Sequence, residues 1–416
     1  MHCSPPENLP APEPEPAGLD PSQRAAAEAL RAGRSLFLAG PGGAGKSHVI
    51  REVFRGRDDV ALTASTGVAA SLLGGRTLHA ALGIGLGRTR EDVFRGIRRR
   101  AKALAKVRAV VVDEATMLDA DLFAWIGEAL AAHAPTGREG PWGGRQVVLC
   151  GDPYQLGPVK GAYFFESPAF REGGFETLAL TGAHRHRDAD FRALLARART
   201  GDDGAVDQIL ELARGRAEWE DGIAPTVILP TNQAVDQTNA REFQALGTPV
   251  HELHAEDSGP RSLLGVELAP KVLALRVGAQ VMVTRNVDVE NRICNGTRGV
   301  VRAVRDGAVT VLLTDGREVD VARFAFEVRE DLARGPPLAV RRQFPLRLAW
   351  ALTVHKAQGS TLDRVSIDLS RTFAPGQIYT ALSRVRDLAG LHVRGRPRGE
   401  RWRREMVAPP VRALMD

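Results

Sequence analysis

The sequence has few cysteines, few aromatic residues and no long hydrophobic run. Cys3, Cys150 and Cys294 are far apart in 416 residues and form no C-x-x-C pair, which argues against structural zinc and against a disulfide framework. No apolar stretch is long enough to cross a bilayer, and no basic-then-apolar leader begins the chain. We therefore expect an intracellular protein with no membrane partner. It would be cytoplasmic and nucleoid-associated if the source is bacterial, with a nuclear or organellar location left open.

Charge and aromatic content give only a mild indication of the partner. The net charge is +6, from 56 basic and 50 acidic residues, which favours a polyanionic partner without proving one. Aromatic residues make up 5% of the chain, so stacking on nucleobases would depend on few side chains.

A glycine-rich turn near the N-terminus carries the clearest chemical signal. A short apolar run, Ser35 to Ala39, precedes the turn, and a segment of helical character, His48 to Phe54, follows it. The turn has the complete G-x-x-x-x-G-K-S pattern of a phosphate-binding loop, and a turn that binds nothing is disfavoured by the flanking strand and helix. Lys46 can reach the β- and γ-phosphates, and Ser47 can ligate Mg²⁺. The predicted nucleotide contacts are Gly40, Gly42, Gly43, Ala44, Gly45, Lys46 and Ser47.

Strands that alternate with helices predict an α/β fold. Buried strands are predicted at Val60–Ala64, Ala109–Val112, Gln146–Cys150 and Thr177–Leu180, each followed by polar residues. That pattern indicates a parallel sheet with its ligand at the carboxyl ends of the strands. A second α/β series begins at Thr226.

The segment between the two halves of the second series has the pattern of β-strands without intervening helices. Residues 251–342 show two-residue alternation, with a hairpin signal at Arg305-Asp306-Gly307. We expect a small inserted β-barrel there. The predicted domains are a disordered tail (1–18), a first parallel-sheet domain (19–183) with a basic inserted region at about 83–108, a second such domain (184–250 and 343–416) and the inserted barrel (251–342).

Two carboxylates follow one of the predicted strands. Asp113 and Glu114 come directly after Ala109–Val112, where phosphate-loop enzymes hold Mg²⁺ through a carboxylate. Glu114 can orient and deprotonate an attacking water. A charged strand end in a turn is the alternative, and the upstream loop makes it less favoured. Gln155 follows the next strand and could contact the γ-phosphate, although a lone glutamine in a loop usually does nothing.

Two arginines are candidates for charge stabilisation at the transferred phosphoryl group. Arg185 follows a strand, and Arg384 lies at the edge of an apolar helical face that includes Ile378 and Leu382. A surface arginine is the alternative for each.

Ordered motifs resemble superfamily-one DNA helicases that move 5′ to 3′, of the Pif (petite integration frequency) type, with RecD-like helicases next nearest. The similar segments are Leu19–Gln23, Ala64–Ala70, Thr77–His79 with Gly83–Gly87, Asp113–Leu118, Pro141–Gln146, Thr353–Thr361 and Tyr379–Arg386. Four positions depart from the family pattern: Thr116 for Ser, Trp142 for Phe, Gly157 for Pro, and His186 for Gln beside Arg185. The last departure puts a γ-phosphate contact at residue 186 in doubt.

The resemblance implies a motor made of two RecA-like domains with ATP and Mg²⁺ between them. Gln23 would read adenine, Gly359 would line the nucleotide site, and Arg185 and Arg384 would reach across the cleft from the second domain. The resemblance also implies roles in DNA repair, recombination and telomere maintenance. The expected partners are single-stranded DNA and forked or tailed duplex DNA, with the motor working as a monomer. The implied DNA contacts are Thr66, Thr77, His79, His355, Lys356 and Ser360.

Several alternatives stay open at this point. The hydroxyl residues among the DNA contacts could instead be helix caps or core hydroxyls. The basic region from Arg95 to Arg108 is expected near a strand-separating pin of the first domain, but it could instead be a solvated helix face. A translocase that strips proteins from single strands, and a nucleotide-regulated DNA-binding switch, are the competing functions. A second α/β domain and two arginine motifs speak against the switch.

Overall fold

The computed structural model describes residues 18–182, 186, 188–213, 222–264, 269–288, 290–291, 293–328, 336–371, 374–395 and 406–415. The predicted disordered tail, apart from Gly18, lies outside these residues, as does Arg185. The helices are α1 (Pro21–Arg31), α2 (Lys46–Phe54), α3 (Gly67–Leu73), α4 (Leu78–Leu82), α5 (Arg90–Arg99), α6 (Ala101–Leu104), α7 (Ala120–Ala132), α8 (Pro168–Glu172), α9 (Ala189–Arg199), α10 (Asp203–Leu212), α11 (Asn232–Ala245), α12 (Val354–Ala357), α13 (Gln377–Leu382) and α14 (Pro409–Met415).

Twenty strands are present in the described residues. They are β1 (Leu36–Ala39), β2 (Val60–Ala64), β3 (Arg76–Thr77), β4 (Ala109–Asp113), β5 (Gln146–Gly151), β6 (Glu176–Ala179), β7 (Thr226–Leu229), β8 (His251–His254), β9 (Glu256–Ser258), β10 (Val272–Leu275), β11 (Gln280–Val283), β12 (Arg298–Val304), β13 (Ala308–Leu313), β14 (Glu318–Ala322), β15 (Phe324–Val328), β16 (Ala339–Gln343), β17 (Leu346–Leu348), β18 (Ala351–Thr353), β19 (Val365–Asp368) and β20 (Leu391–Arg394).

The first domain is built on a six-stranded parallel sheet. Its strand order is β3-β2-β4-β5-β1-β6, and every neighbouring pair runs parallel. The central strands β1 and β4 are buried along their whole length, which their apolar sequences require of a sheet covered on both faces. The loops that follow β1, β2, β4 and β5 therefore meet at one edge of the sheet.

The second domain has a smaller parallel sheet, in the order β18-β7-β19-β20. Buried apolar residues of the two parallel-sheet domains form one continuous core, which includes Val110 and Leu149 from the first and Leu352 and Ile367 from the second. The predicted α/β fold with two parallel-sheet domains is confirmed.

The inserted segment forms antiparallel sheets with a separate core around Val281 and Val311. A five-stranded sheet runs β14-β13-β12-β11-β17, a three-stranded sheet runs β15-β16-β9, and β10 pairs with β8. The predicted hairpin turn at 305–307 joins β12 to β13. The antiparallel character agrees with the sequence, but closure into a barrel stays a prediction, because the strands fall into three separate sheets.

Two consecutive strands, β17 and β18, belong to different domains. β17 pairs with β11 of the inserted sheet, and only β18 pairs with β7. The strands of the insertion thus continue past the predicted limit at residue 342. Among the described residues, none of the helices combines the length and the apolar composition that crossing a membrane requires.

Candidate active site

The glycine-rich loop lies between the end of β1 and the start of α2. Gly45 precedes α2 with φ 84°, in the left-handed region where side chains other than glycine are strained. The Lys46 ammonium donates to the backbone oxygens of Gly40 at 2.7 Å and of Pro41 at 3.0 Å. The lysine therefore already sits across the mouth of the loop, held by acceptors that an anionic ligand can replace.

Asp113 and Ser47 form the oxygen pair that the sequence predicts. The Ser47 hydroxyl donates to Asp113 Oδ2 at 2.9 Å, and the Glu114 backbone N–H donates to Asp113 Oδ1 at the same distance. Two hard oxygen ligands at this spacing, on the loop and on β4, suit Mg²⁺, which takes few protein ligands and completes its shell with phosphate oxygens and water.

Glu114 is held in an unusual conformation beside this pair. Its backbone has φ 53° and ψ 39°, the left-handed region that costs a non-glycine residue about 1–3 kcal/mol. Burial raises the pKa of its carboxyl above the ordinary value, and Asp113 raises it further, while Arg384 and Lys46 act in the opposite direction. A carboxylate made more basic in this way is suited to accept a proton from water.

The second domain reaches Glu114 through the segment after α12. The Gln358 side-chain amide donates to Glu114 Oε2 at 3.1 Å, and Gly359 lies beside the same carboxylate. These contacts place a carboxylate of the first domain and an amide of the second on opposite sides of one cleft.

Two buried amide oxygens in the cleft are without hydrogen-bond donors in the described part of the chain. They belong to Gln155 and Gln358. Buried acceptors without partners are rare in native proteins and mark places where a ligand, ion or water completes the site. Together with the Lys46 ammonium and the Ser47–Asp113 pair, they fit a nucleoside triphosphate with Mg²⁺.

Gln23 lies next to the loop but is engaged by the protein. It forms a capping box with Asp20: the Asp20 carboxylate accepts from the Gln23 N–H at 3.0 Å, and the Asp20 N–H donates to Gln23 Oε1 at 3.0 Å. Its Nε2 donates to the Ala44 oxygen at 3.1 Å. Gln23 thus connects α1 to the phosphate loop, and its predicted reading of adenine remains a prediction.

The two predicted arginines have different outcomes. Arg185 lies outside the described residues. Arg384 is almost fully buried, and it donates to the Thr380 oxygen at 2.9 Å and to the Ser383 hydroxyl at 2.8 Å. His186 is also engaged, with Nδ1 at 3.0 Å from the Arg386 oxygen, so its ring is directed into the second domain.

The predicted DNA contacts of the first domain lie at the carboxyl edge of its sheet. Thr66 and Thr77 accept hydrogen bonds from the backbone N–H groups of Ala69 and Ala80, at 3.1 and 3.3 Å, so both act as helix caps. Burial lowers the pKa of His79 while Asp119 raises it, and the net shift is downward. His79 is therefore uncharged near neutral pH and can offer DNA a hydrogen bond or a ring face but no positive charge.

The predicted DNA contacts of the second domain lie on and after α12. Lys356 is exposed, and the partly buried His355 has a pKa lowered by burial. Ser360 is buried, and its hydroxyl donates to the Ala357 oxygen at 2.6 Å. In this conformation the Ser360 hydroxyl supports the turn, and its contact with DNA stays a prediction.

The basic region at 83–108 consists mainly of α5 and α6, and buried Arg145 fixes it to the rest of the domain. Arg145 donates from Nη2 to the Leu104 oxygen at the end of α6 (3.1 Å), and from Nη1 to the oxygens of Leu130 (3.2 Å) and Trp142 (3.0 Å). Burial lowers the pKa of this guanidinium. The Pro141–Gln146 motif thus has a structural task, which is to tie α6 to the carboxyl end of α7.

Replacing Arg145 with leucine should loosen this attachment. Three carbonyl oxygens lose a charged donor, which should destabilise the fold by about 1–3 kcal/mol and speed amide exchange in α5 and α6. Urea denaturation and hydrogen–deuterium exchange measure the two effects. Lys102→Leu, on the exposed side of α6, removes the same charge and serves as the control. Equal exchange in the two variants would contradict the assigned role.

Comparison with known proteins supports the arrangement described above. Residues 19–171 match the family model "PIF1-like helicase", and residues 261–304 match "DNA helicase Pif1, 2B domain". The chain is 35% identical over 393 residues to the ATP-dependent DNA helicase Pif1 of Bdellovibrio bacteriovorus, covering 91% of this chain and 88% of the relative. The chain belongs to the Pif1 helicase family.

Other Pif1 proteins are similar over most of this chain. The human ATP-dependent DNA helicase PIF1 is 36% identical over 408 residues, and this chain spans 62% of its length, as it does for the Xenopus laevis relative. A Bacteroides Pif1 structure in complex with ADP-AlF4 superposes with a TM-score of 0.76 at 26% identity, covering 96% of each chain. The Pif-type resemblance and its two parallel-sheet domains are therefore confirmed.

Two contributors to the cleft were not assigned a chemical role from the sequence. Gln358 contacts Glu114, and Asp152 organises the loop that carries Gln155. Gln358 lies inside the Thr353–Thr361 motif, and this position could have suggested a role for its side-chain amide. Asp152 had no such signal, because its partners lie far away in the chain.

Proposed function

We propose that this chain is an ATP-driven DNA helicase that translocates 5′ to 3′ on single-stranded DNA and unwinds duplex DNA. The observation that carries the proposal is the contact between Glu114, which directly follows β4, and Gln358 in the second domain, with Arg384 close enough to act on the Glu114 carboxyl. A hydrolytic base in the first domain is thus completed by groups of the second. Hydrolysis then depends on closure of the cleft, and cleft motion is what a translocating motor requires.

Each residue of the site has a separate proposed role in ATP hydrolysis. Mg²⁺-ATP, when bound, supplies the phosphoryl group that is transferred to water. Lys46 and Arg384 would hold positive charge where negative charge develops, Ser47 and Asp113 would hold the metal, and Glu114 would accept the proton of the attacking water. Gln155 and Gln358 supply buried acceptors that orient water at the γ-phosphate.

The nucleic-acid track is proposed to cross the carboxyl edges of both parallel sheets. Thr66, Thr77 and His79 line it in the first domain, and His355 and Lys356 line it in the second, with Ser360 as a buried support. Bacteroides Pif1 has been solved bound to single-stranded DNA. Another solved structure describes two Pif1 helicases coordinating at forked duplex DNA, so action as a monomer stays a prediction.

Strand displacement with defined overhangs tests both the activity and its direction. Duplexes with only a 5′ single-stranded tail should be unwound in the presence of Mg²⁺-ATP, while blunt duplexes and 3′-tailed duplexes should not. Unwinding from the 3′ tail alone would overturn the polarity. Hydrolysis stimulated by single strands without displacement of any duplex would favour the protein-stripping translocase, and hydrolysis that single strands do not stimulate would favour the switch.

A further inference from the structure

A buried ionic cluster joins the two parallel-sheet domains beside the Gln155 loop. Its centre is Asp152, which follows β5 and is 1% exposed. Asp152 Oδ1 accepts from Nε (3.0 Å) and Nη2 (2.9 Å) of Arg199 on α9, a helix that packs against α13. Asp152 Oδ2 accepts from the Tyr379 hydroxyl on α13 at 2.9 Å. We call Asp152, Arg199 and Tyr379 the interdomain latch.

The charges in the latch are well compensated. The Arg199 guanidinium also lies over the Tyr154 ring, 4.2 Å from its centre. Burial alone would lower the pKa of Arg199, but Asp152 and the neighbouring tyrosines raise it above its ordinary value. Burial and the nearby Asp152 carboxylate raise the pKa of Tyr379, so its hydroxyl keeps the proton that it donates. Removing one partner of a buried ion pair destabilises the protein strongly, because the other charge is left buried without compensation.

Backbone contacts extend the latch along the loop. The Leu156 N–H donates to the Thr380 hydroxyl at 2.9 Å. Gly376 precedes α13 with φ 74°. A β-carbon at this position would lie 2.5 Å from the backbone oxygen of Gln155, so only glycine permits this close approach. The loop from Asp152 to Leu156 is therefore fixed to the first turn of α13.

The same short helix leads to the arginine of the cleft. Arg384 lies two residues beyond α13, and its Nε donates to the backbone oxygen of Thr380. Thr380 thus binds the Gln155 loop through its hydroxyl and Arg384 through its carbonyl. Gln155 itself contacts Asp152, with Nε2 at 3.4 Å from Oδ2. The other side-chain atom of this amide, Oε1, is buried and has no hydrogen-bond donor among the described residues.

We propose that Asp152, Arg199 and Tyr379 are positioning residues that hold the Gln155 loop in register with α13, so that Gln155 and Arg384 reach the γ-phosphate together. The inference rests on the proposed function and adds a part of the site to it. Loss of the latch should leave the ground-state nucleotide site intact, because Lys46, Ser47 and Asp113 lie on other loops. It should weaken the arrangement that exists only during phosphoryl transfer.

Tyr379→Phe tests this with the smallest change, since it removes one hydroxyl. In the full-length chain we expect an unchanged affinity for ADP and a fall of about 10-fold or more in kcat for hydrolysis stimulated by single-stranded DNA. The affinity for ADP with aluminium fluoride, which mimics the transferred group, should fall by the same factor. One hydrogen bond to a charged group accounts for a change of this size. Tyr163→Phe, which removes a hydroxyl from a partly buried tyrosine of the first domain, is the matched control.

A second pair of variants tests the same link through Thr380. Thr380→Val removes the acceptor of the Leu156 N–H at nearly constant volume and should repeat the Tyr379→Phe pattern, while Thr380→Ser keeps the hydroxyl and should restore activity.

The possible results separate the two proposals. Wild-type kcat and wild-type analogue affinity in Tyr379→Phe and Thr380→Val would overturn the latch and leave the proposed function standing. Equal losses of affinity for ADP and for the analogue would also overturn it, because they indicate general damage to the nucleotide site. A wild-type chain without hydrolysis stimulated by single strands would overturn the proposed function itself.

Discussion

Lys46→Ala should abolish ATP turnover while single-stranded DNA still binds. The ammonium lies across the loop mouth on the oxygens of Gly40 and Pro41, in position to exchange these acceptors for phosphate oxygens. No other lysine is part of the loop, so in the alanine variant the loop supplies no cation to the developing charge. We expect kcat to fall by at least about 10²-fold, the usual cost of removing one preorganised charge-stabilising donor.

The measurement is steady-state phosphate release with saturating single-stranded DNA, together with fluorescence anisotropy of a labelled oligonucleotide. Arg55→Ala is the control, because Arg55 is exposed and directly follows α2. The substitution removes one positive charge close to the same helix. Normal turnover in Lys46→Ala would mean that the glycine-rich loop is not the hydrolytic site.

Arg384→Ala should bind ATP almost normally and fail to hydrolyse it. The guanidinium is held by the Thr380 oxygen and the Ser383 hydroxyl, and its charge acts on Glu114. An arginine that stabilises the transferred phosphoryl group contributes roughly 10³- to 10⁵-fold in rate, so the loss in kcat should lie in this range. Arg384→Lys should recover little, because an ammonium lacks the planar fork that makes these contacts together.

Arg386→Ala is the matched control for this prediction. Arg386 lies two residues further on, its side chain is 52% exposed, and it pairs with Asp363 at 2.8 Å. An exposed pair of this kind contributes little to stability, so turnover should stay within about twofold of the wild type. Loss of ATP affinity in Arg384→Ala, measured with a fluorescent nucleotide, would instead assign the arginine to structural support of the cleft.

The sequence specified the first domain better than it specified the cleft. The buried strands β2, β4 and β5 end within one residue of their predicted limits, because a parallel strand covered on both faces leaves a continuous apolar run. The phosphate loop and the Asp113–Glu114 pair were readable for the same local reason. Both are short motifs fixed by the strand that precedes them.

Contacts between distant segments could not be read in this way. Asp152 and Tyr379 are 227 residues apart, and nothing near either one indicates the other. Thr77 shows a different difficulty, since a threonine before a helix has the same local sequence whether it caps the helix or contacts a ligand. The hydroxyl of Ser360 faces its own turn, which only the packing of α12 decides.

The place of β1 in the first sheet has a consequence for synthesis of the chain. β1 lies between β5 and β6, with Leu36 paired to both Val148 and Glu176. The strand that supports the nucleotide loop is made early, yet both of its neighbours exist only after residue 179 has left the ribosome. Until then the backbone of β1 lacks at least one neighbouring strand, and its apolar side chains are not yet covered. Unpaired strand edges and exposed apolar surface are both prone to association with other chains. We expect this stretch to be the part of the nascent motor that most needs protection by a chaperone.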